Sequence, residues 1–346
     1  MRMEPMLVSY NDNSTLQATC QTVGNPMLTD MATAYGAGKS KEQLKVVRIA
    51  EYGCSGGRNS YGPMHRLISA LRSSSPALRA ECVLEDLPSN PWHQVMEEAP
   101  KLTAAFNGQV QVLCAGTSFY NQVCSNASLD LAYSYVAAHF LSDSMPLASH
   151  VLMHESAPGE RAAWEAQAAR DWENFLLLRA HELKKGGKLM ISTMSRDSSG
   201  YSWQEFSHLV WDSIQQMCSQ GALAKREAEA LCIPTCLRSE AEIMAPFGSH
   251  SLVSSVFEVN ALQFSRTEVA GESNLSASAL APLIRRRVEA VWGGMFVTQL
   301  GRLGRSATSS REVMGEVWDR FEERIAQDTT RGWLDMRSFY LQLTRK

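Results

Sequence analysis

Two acidic strand endings and a glycine turn follow one another between residues 46 and 90. Ile49-Ala-Glu-Tyr-Gly-Cys-Ser-Gly-Gly-Arg-Asn59 reads as an apolar strand ending near Glu51, then a turn that opens into a helix. A second apolar run ends in Glu85-Asp86-Leu-Pro. Glycine lets backbone approach a ligand closely, and three ligand chemistries use such a turn. A dinucleotide requires Gly-x-Gly-x-x-Gly to seat its pyrophosphate on the helix N-terminus; glycines at 53, 56 and 57 do not match that spacing. A Walker loop needs Gly-Lys-Ser/Thr, which is missing from this turn. A sulfonium nucleoside has no phosphate and carries a positive centre, so it asks for close backbone and carboxylates, and both are present. An acid at the end of the second strand can accept hydrogen bonds from the two ribose hydroxyls. A tight strand–helix turn that serves no ligand is the other reading of the same residues.

The elements that must carry these groups follow from hydrophobic periodicity. Residues 46–52, 81–85, 110–115 and 150–154 are predicted strands, and 188–194 a further one. Asn59 or Ser60 is placed to cap a helix with Met64, Leu67, Ile68 and Leu71 on one face. A long helix over 160–184 is predicted to stop at Lys184-Lys-Gly-Gly187, where cations face the carbonyl end and glycine accepts the left-handed turn. Strand and helix alternating in this way predict an α/β fold, a mostly parallel sheet covered on both faces, with ligands at the carboxyl ends of the strands. After residue 200 the texture turns helical, over 201–221, 238–246, 278–304 and 308–328, with 253–259 and 339–343 as added edge strands. The organisation predicted is a core over residues 1–200, including an N-terminal lid segment, and a mostly helical cap over 201–346 interleaved with late core strands. The Arg285-Arg-Arg287 run reads as a solvated helix face.

Composition narrows the class of partner. The chain has 346 residues, 45% hydrophobic and 20% charged, with a formal net charge of −3. Dispersed charge of both signs gives neither a nucleic-acid footprint nor a membrane-adsorbing face, so a small-molecule partner is expected. The eight cysteines are scattered, several within apolar runs, which suits reduced buried thiols. Cys232-Ile-Pro-Thr-Cys236 lacks a second ligand pair nearby, and no metal is expected. The opening residues hold no apolar stretch of signal-peptide length and no window reaches transmembrane length; a cytoplasmic location is the expectation.

Taken together, the motifs resemble the plant salicylate/benzoate/theobromine methyltransferase family known as SABATH. Ala50-Glu-Tyr-Gly-Cys-Ser-Gly-Gly-Arg-Asn59 is similar to the family's Ala-Asp-Leu-Gly-Cys-Ser-Ser-Gly-Pro-Asn. Glu85-Asp-Leu-Pro-Ser-Asn90, Gly116-Thr-Ser-Phe-Tyr120, Ser134-Tyr-Val-Ala-Ala-His-Phe-Leu-Ser142 and the 175–189 stretch follow in register. The resemblance spans residues 9 to about 240 and implies a Rossmann-like S-adenosylmethionine-dependent sheet with an α-helical cap. Position by position, it implies that Tyr10 and Ser14 close over S-adenosylmethionine. Glu51, the Gly53 turn and Asn59 hold its amino-acid part, and Asp86 its ribose. Leu87, Ser118 and Phe119 pack about the adenine, and Ser134 touches the sulfonium region. For the acceptor it implies Gln17 and Phe140 at the carboxylate, with Val136, His139 and Trp211 lining the pocket. Phe140 stands where the family has a tryptophan, so one N–H donor is missing; Val136 stands where many members have tyrosine. A homodimer is implied by the resemblance alone.

The activity so implied is transfer of a methyl group to a small, aromatic or apolar carboxylic acid, giving a methyl ester and S-adenosylhomocysteine. A carboxylic acid with a pKa near ~4 is already ionised at neutral pH, so no general base is required, and none is expected. His139 therefore reads as a structural or pocket-lining residue. Alternatives are an N-methyltransferase acting on a purine-like heterocycle, with His139 bonding the ring, and a cofactor-binding protein without transfer activity.

Overall fold

A computed structural model describes residues 10–267, 274–328 and 335–346; the opening residues read above for a signal peptide lie outside them. Seven strands form one sheet: β1 (Val46–Tyr52), β2 (Arg79–Asp86), β3 (Val110–Gly116), β4 (Leu129–Tyr135), β5 (Leu183–Met194), β6 (Phe257–Thr267) and β7 (Met336–Arg345). Their order is β3-β2-β1-β4-β5-β7-β6. The first five run parallel, and β7 runs antiparallel to both β5 and β6. The strand order switches sides at β1, with β2 on one side and β4 on the other, so the crevice at the carboxyl ends of β1 and β4 is where an open α/β sheet binds ligands.

Seven longer helices cover the sheet: α1 (Thr15–Ala37), α2 (Tyr61–Ser74), α3 (Trp92–Ala105), α4 (Pro158–Glu182), α5 (Gln204–Ser219), α6 (Ala277–Arg302) and α7 (Ala307–Gln327). The predicted face of α2 is the buried one: Met64, Leu67, Ile68 and Leu71 are all inaccessible to water. One core joins α1 and α2 to α5, α6 and α7 through Leu16, Phe206, Ile284 and Trp318. Aromatic rings knit these late helices, with Phe296 stacked on Trp318 at 5.9 Å and Phe206 against Phe321 at 6.3 Å. On the opposite face α4 packs Trp172, Phe175 and Leu176 against Tyr52, Ala132 and Ile191.

Several sequence-based expectations need correction. Residues 150–154 do not form a strand. The Val151 carbonyl takes the Ile233 amide at 2.8 Å and the chain then turns through Met153–Glu155, so this apolar run is buried without a strand partner. The fourth strand is Leu129–Tyr135, buried along its whole length. Helix α4 ends at Glu182, and the lysine–glycine signal belongs to β5 instead. Leu129 pairs with Leu183 while Leu131 pairs with Lys188, so residues between them bulge, and Gly186 (φ 75°) supplies the bulge rather than a helix cap. Lys184 reaches the buried Asp130 carboxylate at 2.8 Å. Strand β7 lies inside the sheet, so only β6 is an added edge, and residues 253–256 are helical. Helix α1 was not expected at all. The arginine run is split: Arg285 pairs with Asp319 and Glu322 on α7, Arg286 is exposed, and Arg287 is buried.

The last turn of α4 carries a buried ion pair. Arg179 donates to Glu182 at 3.0 Å and to the carbonyls of Phe119 and Asn121 at 2.8 and 3.1 Å. Glu182 also takes the Tyr52 hydroxyl and the Val123 amide. A charged network this deep is held by its mutual bonds, and removing one partner strands the other. Arg179→Met is expected to lower unfolding free energy by about 3–5 kcal/mol, measured by urea titration; a loss under about 1 kcal/mol would place the pair among dispensable ones.

Candidate active site

The carboxyl end of β1 meets a turn whose geometry only glycine permits. Gly53 has φ 84°, and a Cβ there would lie 2.3 Å from the Cβ of Ala137. Its amide donates to the Glu85 carbonyl at 3.0 Å and to Glu85 Oε2 at 3.1 Å. Two residues on, the Ser55 amide donates to Asp86 Oδ2 at 2.7 Å, and the Leu87 amide to Asp86 Oδ1 at 2.8 Å. The turn and Asp86 are therefore side by side. Each Asp86 oxygen has taken one amide and retains acceptor capacity for a hydroxyl. Glu51 accepts the Tyr133 hydroxyl at 2.9 Å.

Burial dominates the electrostatics. It pushes Glu51 up to about 7, against the Tyr133 bond that lowers it, with the charge of Asp86 adding to the rise. It pushes Asp86 up to about 6, although the amides of Ser55 and Leu87 favour the anion. Glu85 is also displaced upward, first by burial and then by Asp86, and its Oε1 has no partner among the described residues. Three acids crowded out of water are a standing preference for a cation.

The N-terminal segment is tied to this turn. Asn11 donates to the Gly56 carbonyl at 3.0 Å, Arg58 to the Asn11 carbonyl at 3.0 Å and Asp12 at 2.7 Å, and Asn59 to the Ser14 carbonyl at 3.5 Å. Burial, then the negative charges of Asp86 and Glu51, push the Tyr10 phenol up, which places it beside the same carboxylates. Strand β3 brings the remaining residues: Gly116 pairs with Asp86, and the Thr117 amide donates to the Asp86 carbonyl at 3.0 Å. Ser118 is half-buried, Phe119 is buried edge-on to Phe175 at 5.6 Å, and Leu87 is half-buried. The Ser134 hydroxyl is committed to the Tyr52 carbonyl at 2.9 Å, tying β4 to β1.

After β4 the chain turns sharply inward. Val136 takes φ 54°, a left-handed conformation rarely adopted by a β-branched residue, with its amide on the Ser192 carbonyl at 2.7 Å. This turn delivers His139 and Phe140 to the interior, their rings 4.3 Å apart. His139 Nδ1 bonds the Thr193 hydroxyl, and Nε2 has no partner among the described residues. Burial, then the Arg238 charge, lowers His139 to about 3, so the ring is neutral at physiological pH. Phe140 keeps backbone ties, accepting the Tyr120 hydroxyl at 2.6 Å.

Gln17, on the first turn of α1, is buried with its Oε1 unpartnered among the described residues. It shares a cleft of about 20 Å³ with Leu16, Trp203, Phe206, Arg287 and Trp292. Trp203 joins this cleft to His139, edge-to-face at 5.2 Å. Gln17, His139 and Phe140 are thus linked through a residue that sequence reasoning missed. Trp203 is also left-handed (φ 69°), and no motif or periodicity marks it. Trp211 is half-buried, lies against His150 at 5.8 Å and packs on the core cluster that contains Leu16, Trp203 and Trp292.

A sheet of this topology, with a phosphate-free glycine turn and buried acids at β1 and β2, is that of a methyltransferase using S-adenosylmethionine. The profile of the SAM-dependent carboxyl methyltransferases matches residues 6–346, and the chain belongs to that family. It is 26% identical over 340 residues to "Methyltransferase FUS9" of Gibberella moniliformis, covering 92% of this chain and 90% of that one. It is 23% identical over 366 residues to "Jasmonate O-methyltransferase" of Arabidopsis thaliana, covering 92% and 91%. Among solved structures, "Loganic acid methyltransferase with SAH" superposes with a TM-score of 0.79 at 16% identity, covering 100% of this chain and 98% of that chain.

The raised carboxyls give a sign-definite pH dependence. A carboxyl raised by folding favours the ligand-free fold below about pH 4, its unfolded range, and that contribution is lost as pH rises through the folded value. A bound cation prefers the ionised forms. S-adenosylmethionine affinity is therefore expected to rise about tenfold or more from pH 5.5 to pH 8, with proton release on binding. Calorimetry in buffers of different ionisation heat checks this, and Glu51→Gln should flatten the slope. Gly53→Ala, strained at φ 84° and blocked by Ala137, should lose cofactor binding about 100-fold or fail to fold, read by the same titration and a thermal melt.

Proposed function

We propose that this chain methylates the carboxylate of a small, mainly apolar acid, giving its methyl ester. Residues 1–200 hold the donor, with Tyr10 and Ser14 in the N-terminal segment as its lid, and helices after residue 200 wall the acceptor. S-adenosylmethionine supplies a methyl group on a cationic sulfur that leaves as a neutral thioether. The acid oxygen forms the new O–CH3 bond as the methyl–sulfur bond breaks, and no proton moves. The observation that carries this reading is the interior beside the acidic turn. There Gln17 shares a cleft with Trp203, Trp292 and Arg287, and Trp203 joins that cleft to neutral His139 and, beyond it, Phe140.

Attack of an anion on a cation destroys charge, so water stabilises the reactants more than the transition state. Side chains that exclude water remove that penalty, and fixed orientation is worth roughly 7–11 kcal/mol. The Gln17 amide supplies direction without adding charge. A histidine with its pKa near 3 is a poor proton acceptor at neutral pH, and an ionised acid needs none.

Labelled S-adenosylmethionine with salicylate, benzoate, jasmonate, loganate and C6–C12 fatty acids, followed by mass spectrometry, is expected to yield methyl esters. Methylated xanthines from a parallel set would move the acceptor to nitrogen, and cofactor binding without any turnover would remove transfer activity. For His139→Gln, kcat is expected to fall less than about tenfold with an unshifted pH–rate profile, whereas loss of a general base costs about 10²–10⁴.

A further inference from the structure

A buried cation stands behind the turn that delivers His139 and Phe140. Arg238 is only 2% exposed. Its guanidinium donates to the Ala138 carbonyl at 2.9 Å and the Ala168 carbonyl at 3.1 Å, and lies over the Trp172 ring at 4.9 Å. It also meets the Tyr120 hydroxyl. All of these partners are neutral, and among the described residues Arg238 has no ion pair. Acids of the same region are spent elsewhere: Asp171 accepts the Ser142 amide at 2.8 Å and hydroxyl at 2.7 Å, and Glu242 pairs with Arg196 at 2.8 Å. Backbone stitches the same segment to the turn. The Cys236 amide and the Thr235 hydroxyl donate to the His139 carbonyl at 2.8 and 3.1 Å, and Thr235 bridges Phe140. A cation buried without an anion costs free energy, and that cost falls when an anion arrives nearby.

We propose that Arg238 is a positioning residue for the acceptor acid. Through the Ala138 carbonyl it fixes the turn carrying His139 and Phe140, and its uncompensated charge makes that turn select an anion over a neutral molecule. This rests on the carboxyl-methyltransferase reading above, which puts the acid at this turn. Arg238 acts without touching the acid. The same field is felt by His139, whose pKa is lowered by burial and then by the Arg238 charge. Methyl transfer neutralises the acid, so the field stabilises the bound reactant more than the transition state. It lowers KM for acids without raising kcat, and it has no hold on the neutral ester that must leave.

The full chain is assayed with the acids named above, comparing wild type with Arg238→Gln and Arg238→Lys. Inhibition by the matching methyl esters, S-adenosylhomocysteine affinity and thermal midpoint are recorded for each. Arg238→Gln keeps a donor for the carbonyl but loses the charge. It is expected to raise KM for the acid about tenfold, with kcat changed less than about threefold and ester inhibition within about twofold of wild type. Arg238→Lys keeps the charge and should hold KM within about threefold. If Arg238→Gln melts early, Arg238→Met, which fills the volume without charge, carries the same comparison. Three results overturn the proposal while leaving the carboxyl reading standing: an unchanged KM, acid and ester weakened together, or a lysine variant as impaired as the neutral ones. A wild-type chain that methylates none of the acids overturns both.

Discussion

Acidic side chains held out of water at the ends of β1 and β2 are the constraint around which the molecule is arranged. Glu51, Glu85 and Asp86 come within one turn of each other because two parallel strands end in register, Glu51 opposite Leu84 and Tyr52 opposite Glu85. Leaving them there costs free energy, visible as the upward displacement of all three. Amides of the glycine turn offset part of this cost. The remainder is a bias toward positive charge that exists before any ligand arrives. Gly53 cannot be exchanged because its left-handed backbone and its contact with Ala137 both fix where those amides point.

The acceptor side is built on the opposite principle. Apart from Arg287 its lining groups are aromatic or neutral, and Val136 and Trp203 both adopt left-handed backbone without being glycine, as Ser55 does in the glycine turn. Each turns the chain inward at a strand or helix end, Val136 to bring in His139 and Phe140, Trp203 to set its indole between His139 and Trp292. Strain of this sort persists where packing on every side over-determines it. The buried pair of Arg179 and Glu182 gives comparable fixation to the loop that carries Phe119.

What the sequence disclosed follows from which signals are local. The β1 turn, the β2 acid and the apolar face of α2 are short-range patterns, and they are where periodicity and glycine spacing place them. Strand β4 went unseen because Leu-Asp-Leu-Ala-Tyr-Ser-Tyr has no β-branched residue, while residues 151–152 have the apolar look of a strand without a neighbour to pair with. The lysine–glycine stop after α4 misled because a bulge and a helix cap demand the same left-handed glycine. Trp203 and Arg287 owe their place to the docking of α5 and α6, which a single sequence does not encode in any local pattern. The family resemblance supplied Gln17 and His139 for the same reason, since it carries long-range information that spacing lacks.

The ties between the N-terminal segment and the glycine turn have a consequence for turnover. Under the proposed reading, the spent donor can be exchanged only when Asn11 lets go of Gly56 and Arg58 releases Asp12. These are few and partly wetted contacts, about 1 kcal/mol each, far short of what holds the sheet. On that reading the segment would open and reseat at a cost far below that of parting the strands beneath it.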